Sequence, residues 1–592
     1  MADHGEKALD IFSNFFICPE FSKSGTQREV QAVDSENSKN LVNDGRRRWQ
    51  VLKSLADPQH HFSKFSTGNR ITLPACATGD SDVGGSNVDL ETGSITPGKH
   101  PLKDILRHVN GGKHDEIDMA EFVRAALLAF HKRHYTPENM SAVMIGPQSL
   151  DELEAWVVPR FGRIPGRWLN RDDDNEVKEG EEDDDNMLDK NEKWHEMQRA
   201  AAKLVDESAS DAPRVSIHSA EPVKHHSAFR PDLQGGQWPV VVTTKPLKDI
   251  RKLVLFFPLP PTWRNPDRSP TSVLSHLFGH EGPGSAFALL QNKGWITTLN
   301  AGNRVHAPDQ CLFKIEMTLT AEGEKHWAEA TGVIFDYGRM LRHAADESMK
   351  SDEGNANCHD GHKELRRIWG KIFLLCLIYT LWVRYYSQRM LGIADEVVSL
   401  EKMRFHQTSP GAVYSFASSV AESISIRGTE ICLSAGSMLN ENGDSLPLKE
   451  MLDFARQIRP RNCLIERYSN EAWEDVVASY QGTPGKLEND RFDFGLQTEK
   501  WYGVDYYVSP VDREQIERWE TNSDDELVLH LPKPNRYIPR TLSLSEDLPE
   551  EAKVQRIEKS IEPPELIVDK PTGKSKHFTH VASFFMSTFS LS

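Results

Sequence analysis

The sequence predicts an α+β fold, a mixed sheet with packed helices, in two consecutive units. In the first unit, segments with helical periodicity flank a short apolar run, Met140–Ile145, which we expect to be a strand. From Pro239 to about Trp519, strand-like segments alternate with helical ones. At 592 residues the chain has room for three or four domains of about 150 residues each.

The first unit, 1–167, is expected to be mixed α and β. A polar, Gly-free helix is predicted over Arg28–Asn43. Met119–His134 carries apolar residues at helical spacing, and Ser149–Phe161 is predicted to be a second amphipathic helix. Pro74–His114 is rich in Gly, Ser and Asp, which indicates a loop.

An acidic run separates the two units. Residues 172–185 hold ten acids against one lysine, a composition that cannot bury itself and repels itself. We interpret 168–212 as a disordered surface insert or linker. The alternative is a tail that docks a basic partner.

The second unit, 213–520, supplies most of the predicted sheet. Three strands and two helices are expected there: Val240–Thr244, Leu253–Pro258, Leu312–Leu319, Pro270–Gly279 and Ser285–Lys293. Beyond it, 521–592 is Pro-rich and charged, and is interpreted as a linker followed by the stub of a third domain.

Residues 352–390 look foreign to this pattern. They include the twelve-residue apolar run Ile372–Val383, bounded by Lys371 and Arg384. A bilayer-spanning helix needs about 20 apolar residues, so a buried helix or a gene-model artefact is favoured. A membrane segment stays open as the alternative.

Charge and cysteine content narrow the function classes. A formal net charge of -18 disfavours nucleic acid and anionic membranes as partners and suits basic or neutral peptides. Seven scattered cysteines without a CxxC pair are typical of reduced thiols, and the N-terminal residues lack a secretory pattern. We expect a cytoplasmic protein, with a mitochondrial location open.

Glu29 and Glu36 are candidate metal-site residues. They lie seven positions apart, so a helix places both carboxylates on one face, while Asp34 points elsewhere. One carboxylate could ligate a metal while the other orients a histidine ligand. A solvated helix face is the plainer interpretation of the same spacing.

His276 and His280 have the i,i+4 spacing of helical zinc ligands. Zinc peptidases with an H-x-x-E-H motif use its glutamate to polarise the metal-bound water, but Gly279 stands at that position here. Gly282–Gly284 then breaks the helix, so we expect a tight turn. Cys358, His359 and His362 could ligate a metal, but no second cluster completes a four-ligand site, so their proximity is better explained by chance.

Six long segments, in order, resemble the insulysin-type zinc metallopeptidases of the pitrilysin family. They are ALDIFSNFFICPEFSKSGTQREVQAVDSENSKNLVND from Ala8, HFSKFSTGNRITL from His61, PLKDIRKLVLFFPLP from Pro246, SHLFGHEGPGSAFALLQNKGWITTL from Ser275, WYGVDYY from Trp501 and LPKPNRYIP from Leu531. The resemblance covers most of 8–345 and 391–570.

The resemblance implies four homologous α+β domains in two halves around a peptide-engulfing chamber, with this chain as roughly the first half. It implies a zinc metalloendopeptidase that degrades or processes short peptides, with Glu36 as zinc ligand and Glu29 supporting it. The sequence holds no H-x-x-E-H motif, which the family's spacing places ahead of Met1. The chain is therefore expected to retain no zinc and to be inactive by itself.

A rival interpretation is a non-catalytic peptide-binding or partner half of such an assembly. In either case the resemblance implies an exosite for the peptide's N-terminus at His280, Gly282, Gly284, Leu299 and Gly302. Glycines suit the close approach of an added strand, although they equally suit simple turns. Two protein partners are considered: a second copy of this chain in a homo-oligomer, and a missing C-terminal half.

Overall fold

The structure is a computed structural model. It describes residues 5–58, 60–73, 119–166, 227–229, 238–261, 270–307, 310–353, 389, 392–405, 412–429, 432–433, 453–479, 494–521, 528–535 and 537–538. The chain divides into two compact units, 1–534 and 535–592. In the second, the Tyr537 N–H donates to the side-chain oxygen of Asn535 at 3.1 Å. The remaining description concerns the first unit.

The labelled helices are α1 Gly5–Ile17, α2 Lys23–Leu41, α3 Asp44–Ser54, α4 Met119–His134, α5 Leu150–Phe161, α6 Pro270–Phe278, α7 Ala286–Asn292, α8 Ala321–Lys325, α9 Trp327–Glu353, α10 Val413–Arg427, α11 Asn470–Ser479 and α12 Arg513–Glu520. The strands are β1 Val240–Thr244, β2 Lys252–Leu259, β3 Ile296–His306, β4 Cys311–Leu319, β5 Leu464–Tyr468, β6 Gly495–Thr498 and β7 Asp505–Pro510.

Local capping explains where the early helices begin and end. The Ser149 hydroxyl accepts the Glu152 N–H at 3.3 Å, while the Glu152 carboxylate accepts the Ser149 N–H at 2.9 Å, which starts α5. Ser22 caps α2, which begins at Lys23, five residues before the predicted start at Arg28. The predicted bounds of α4 are confirmed, and α5 begins one residue after its predicted start at Ser149, which is its N-cap.

The seven strands form one sheet in the order β3-β4-β2-β5-β1-β7-β6. β1 and β5 run parallel, and all other neighbours are antiparallel. The three predicted strands are confirmed as β1, β2 and β4. The mixed sheet and its packed helices confirm the predicted α+β class.

One side of the sheet is covered by helices that follow β2. We call it the apolar face, and it is defined by Leu253, Leu255, Phe257 and Ile315, all fully buried. Side chains of α6, α7 and α9 pack on it within one continuous core. Burying each such side chain contributes about 1.5–3 kcal/mol, so this core fixes the position of α6 and of the chain that follows it.

The other side packs against α3 and the chain after it. We call it the charged face, defined by Val254, Phe256, Glu316 and Glu466. The apolar residues among them contact Val51, Leu52, Leu55 and Phe62 of the N-terminal region. The sheet therefore lies between the helices that follow β2 on one side and α3 with the chain after it on the other.

The predicted strand at Met140–Ile145 is wrong. These residues form neither strand nor helix, although Met140 has extended backbone angles. A strand needs a hydrogen-bonded neighbour, and the described residues of 5–166 contain helices but no strand to pair with it. An apolar run alone does not supply the neighbouring strand that pairing requires.

Several predictions fall outside the described residues. These are the loop at 74–114, the acidic insert at 168–212, most of 352–390 with Cys358, His359 and His362, and the tail beyond 538. The domain limits 1–167, 213–520 and 521–592 likewise stay predictions. Of the helices that the structure describes, none is both long and apolar enough to cross a bilayer.

The cysteines that the structure describes, Cys18, Cys311, Cys432 and Cys463, are free thiols. Burial raises the pKa of Cys311 to about 12 and also raises that of Cys463. A thiol that stays protonated at neutral pH is a poor nucleophile and a poor metal ligand. These two side chains therefore act as core residues.

Candidate functional site

Strand β3 forms one end of the sheet. Its single strand neighbour in the described part of the chain is β4, so the outer row of its backbone groups faces away from the sheet. It spans eleven residues, whereas β6 at the opposite end spans four. A long edge strand is a template for an added extended chain, because its outer N–H and C=O groups can complete a further ladder.

Leu299 and Gly302 of the predicted exosite both lie in β3. The Leu299 side chain is buried opposite Met317, so it anchors the strand to the apolar face. A Cβ atom added at Gly302 would meet only the Ser275 hydroxyl at 3.7 Å, an ordinary contact. The fold therefore tolerates a side chain at Gly302. Packing within the fold does not explain why a glycine stands there.

His280, Gly282 and Gly284 lie in the loop between α6 and α7, and both of these helices contact β3. Gly284 has φ +82°, and a Cβ there would come 2.4 Å from the His530 ring. The Gly284 carbonyl also accepts the His530 N–H at 3.0 Å. The turn and the packed His530 segment are sufficient reasons for this glycine.

Gly282 is constrained by its own neighbour. A Cβ at this position would lie 2.6 Å from Nε2 of His280, so the imidazole covers the glycine. The loop ends where the Ser285 hydroxyl caps α7 by accepting the Ala288 N–H at 3.1 Å. The structure thus brings the predicted loop residues to the helices beside β3, in the tight turn that the sequence predicted.

The histidine pair of this region is half-buried and close together. The His276 and His280 ring centroids are 6.4 Å apart. Burial lowers the pKa of both imidazoles, and for His280 the nearby His276 acts in the same direction. Both rings are therefore neutral hydrogen-bonding groups at neutral pH. In the described part of the chain, no three His, Cys, Asp or Glu side chains come together as a metal site.

Glu29 and Glu36 both lie in α2 and both are exposed. The buried residues of this helix are Thr26 and Asn37. Asp34 instead accepts the Arg70 N–H at 3.1 Å, as expected for a residue that points elsewhere. Two exposed carboxylates without a histidine cluster among the described residues do not by themselves fit zinc, which needs three protein ligands in a catalytic site.

The charged face carries ion pairs that sequence reasoning missed. Arg48 donates to both carboxylate oxygens of Glu466, at 2.9 and 2.8 Å, across 418 positions of sequence. Lys252 and Lys314 each lie 3.0 Å from Glu316. Burial alone would raise the pKa of Glu316, but these cations outweigh it and lower the pKa to about 2. No local pattern marks partners so distant in sequence.

Arg304 of β3 was also missed. Its guanidinium lies 3.9 Å from the centre of the Trp49 ring in α3. The β3–β4 register shifts between Asn303 and Val305, which makes Arg304 the extra residue of a bulge. A bulge redirects a side chain, and here it places the arginine over the indole.

Two family models match this chain. The first is described as the peptidase M16 inactive domain and matches residues 121–348. The second is described as the middle or third domain of peptidase M16 and matches residues 404–578. Between them they include β1 to β7 and the loop beside β3.

Full-length relatives are similar along most of the chain. Insulin-degrading enzyme-like 1, peroxisomal, of Arabidopsis thaliana is 26% identical over 92% of this chain and 40% of its own length. Human insulin-degrading enzyme is 27% identical over 92% of this chain and 38% of its own. The A-factor-processing enzyme of Saccharomyces cerevisiae is 28% identical over 58% and 25%. This chain spans between 25% and 40% of the length of these three relatives.

Among solved structures, pitrilysin matches with a TM-score of 0.56 at 18% identity. The match covers 92% of this chain and 40% of that one. At this level of identity the likeness concerns the fold alone. It agrees with the mixed sheet and packed helices described above.

Proposed function

The chain belongs to the M16 peptidases, the family of insulin-degrading enzymes and pitrilysin, and from this premise we propose that it serves peptide processing by holding short peptides along β3. An extended peptide would add to the sheet as an eighth strand. The loop with His280, Gly282 and Gly284 would lie beside the peptide's N-terminal end, with Leu299 and Gly302 in the strand beneath it.

The open edge of β3 supports this proposal most directly. Backbone pairing with an edge strand is independent of the peptide's side chains, so it suits a protein that handles peptides of differing sequence. Each net hydrogen bond contributes about 0.5–1.5 kcal/mol, and an eleven-residue strand offers several. Gly302 adds to this, because the fold itself does not require a glycine there.

We propose that Glu36 ligates zinc when a histidine pair is supplied from outside this sequence. Glu29 would then orient one of the histidine ligands. The family's water-activating chemistry needs such a pair, and the sequence contains no H-x-x-E-H. The exposed positions of both carboxylates on α2 are compatible with this role. The chain by itself is then expected to bind peptides without cleaving them.

The rival function, a permanently non-catalytic partner half, draws on one observation. The model that matches 121–348 carries the description of an inactive domain. Both functions predict the same peptide site in this chain. They differ when this chain is joined to a polypeptide that carries the histidine pair. The first function predicts that the joined protein retains zinc and loses it on substitution of Glu36, and the rival predicts no zinc retention.

Binding to short labelled peptides, measured by fluorescence anisotropy, tests the proposal. A peptide N-methylated at alternate residues, on the edge that pairs, should bind at least about tenfold more weakly than its parent, because methylation removes ladder donors. The same peptide methylated on the opposite edge is the matched control. Equal binding of all three would contradict strand addition.

A quenched version of the same peptide tests the absence of cleavage. With purified chain and added zinc, no hydrolysis is expected, since one carboxylate does not make an open three-ligand site. Hydrolysis that a chelator abolishes and zinc restores would overturn this part of the proposal. Peptide affinity that changes with chelator would likewise place a metal in the site.

A further inference from the structure

Arg304 is a cation without a carboxylate partner among the described residues. The side chain is exposed, and its guanidinium is held over Trp49 at 3.9 Å. Stacking on an indole fixes the plane of the guanidinium and leaves its N–H donors free at the rim. An arginine held in this way is oriented for binding before any ligand arrives.

The charges around Arg304 favour an additional anion. Arg48 and Arg46 repel its charge, while the carboxylates of Glu466 and Glu316 attract it. Both carboxylates are already engaged with other cations: Glu466 with Arg48, and Glu316 with Arg48, Lys252 and Lys314. Desolvation, followed by the repulsion of Arg48, lowers the pKa of Arg304. An incoming carboxylate would relieve that repulsion.

Arg304 also lies within reach of a chain bound to β3. It belongs to that strand, two residues beyond Gly302. An added strand runs about 4.7–4.9 Å from its neighbour, and directly opposite or diagonal side chains on adjacent strands approach within about 8 Å. A glutamate or aspartate on the peptide can therefore contact the guanidinium without bending either backbone.

We propose that Arg304 selects acidic side chains, so that the β3 site prefers short peptides that carry Asp or Glu near one end of the bound segment. This rests on the proposed function, the binding of a peptide along β3. The preference is opposite to the one that the whole molecule imposes, because a net charge of -18 repels acidic peptides at long range. An acidic preference therefore identifies a local contact rather than general attraction.

The test compares two peptides that differ in a single Glu or Gln, with the position scanned along the peptide. Anisotropy is measured for the wild type, Arg304→Gln, Arg304→Glu and the control Arg513→Gln, an exposed arginine that pairs with Glu517 on α12. At the matching position the wild type is expected to bind the Glu peptide about tenfold tighter than the Gln peptide.

In Arg304→Gln this difference should vanish while the affinity for the Gln peptide stays unchanged, which also shows that the variant is folded. Arg304→Glu should prefer a Lys peptide, and Arg513→Gln should behave like the wild type. Equal wild-type affinity for Glu and Gln at every position overturns this inference and leaves the proposed function standing. A preference that survives in Arg304→Gln also overturns it. If neither peptide binds the wild type, both proposals are wrong.

Discussion

The two faces of the seven-stranded sheet are held by different interactions. On the apolar face, fully buried side chains of β2 and β4 such as Phe257 and Phe313 pack against helices that follow β2 in sequence. On the charged face, Arg48 and Glu316 take part in a network that joins α3 to three strands. The first face depends mainly on apolar packing, whereas the second adds charge pairing to its own apolar contacts, so its stability also depends on pH.

This difference assigns different tasks to the two faces. The apolar core holds α6, α7 and β3, and so positions the loop with His280 and Gly284 beside the edge strand. The charged network fastens the N-terminal region, including Trp49, to the opposite side of the same strands. Loss of a core side chain should weaken the whole unit, whereas loss of a charge should weaken its attachment in a pH-dependent way.

The largest effect is expected on the apolar face. Phe313 is fully buried in β4, so Phe313→Ala should lower the free energy of unfolding by about 3–5 kcal/mol, through lost burial and the cavity left behind. Urea unfolding at neutral pH measures it. Phe416→Ala on the exposed side of α10 is the control and should change the value by less than about 0.5 kcal/mol. Equal losses would deny that this face is the core.

A smaller, pH-dependent loss is expected at Glu316. Its pKa of about 2 lies below the unfolded value of 4.5, so its contribution is complete above pH 4.5 and is lost as the pH falls toward 2. Glu316→Gln should lower the free energy of unfolding by about 2–3 kcal/mol at pH 7, and less with each step below pH 4.5. The exposed ion pair of Glu322 with Lys325 provides the control Glu322→Gln, which should leave the free energy of unfolding nearly unchanged at every pH. A Glu316→Gln loss that is the same at pH 7 and pH 3 would contradict the network.

Lys53 on α3 should behave in the opposite sense. Burial lowers its pKa from 10.5 to about 8, so the folded chain holds this proton less tightly than the unfolded chain. The free energy of unfolding should therefore rise between pH 8 and 10.5. Lys53→Met should stabilise the protein by about 1–3 kcal/mol at pH 7 and remove that rise. Lys39→Met, at an exposed position of α2, should neither stabilise the protein nor change its pH dependence. If Lys53→Met destabilises the protein instead, the buried ammonium of Lys53 is compensated by a partner.

The two glycines of the candidate site should separate structure from binding. Gly284→Ala should lower the free energy of unfolding by about 1–2 kcal/mol or more, because φ +82° is unfavourable for alanine and its Cβ meets His530. Gly302→Ala should leave unfolding unchanged and weaken peptide affinity a few-fold. If Gly302→Ala destabilises the fold and Gly284→Ala does not, the assignment of the two roles is reversed.

Sequence patterns were sufficient where partners are near in sequence or where burial is continuous. Strands β1, β2 and β4 and helix α5 were predicted because their apolar runs and helical periodicity are local signals. The strand predicted at 140–145 was wrong, because strand pairing depends on a neighbouring strand that the apolar run does not encode. The pairing of Arg48 with Glu466, across 418 positions, has no local signal at all.

The candidate site was predicted in part for the same reason. The glycines and His280 were found through a resemblance over long segments, whereas the position of β3 at the end of the sheet depends on the order of all seven strands. Arg304 could not be predicted from the sequence, because its indole partner Trp49 lies on the separate helix α3. Its role follows only once α3 and β3 are placed together.

Hydrogen–deuterium exchange with and without a saturating short peptide tests the central claim most directly, because the sheet has two edges that serve as each other's control. Strand addition predicts that alternate amides of β3 between Ile296 and His306 become protected, while amides of the other edge strand, β6, exchange as before. Protection confined to β6, or equal exchange at β3 in both states with peptide bound, would contradict the account.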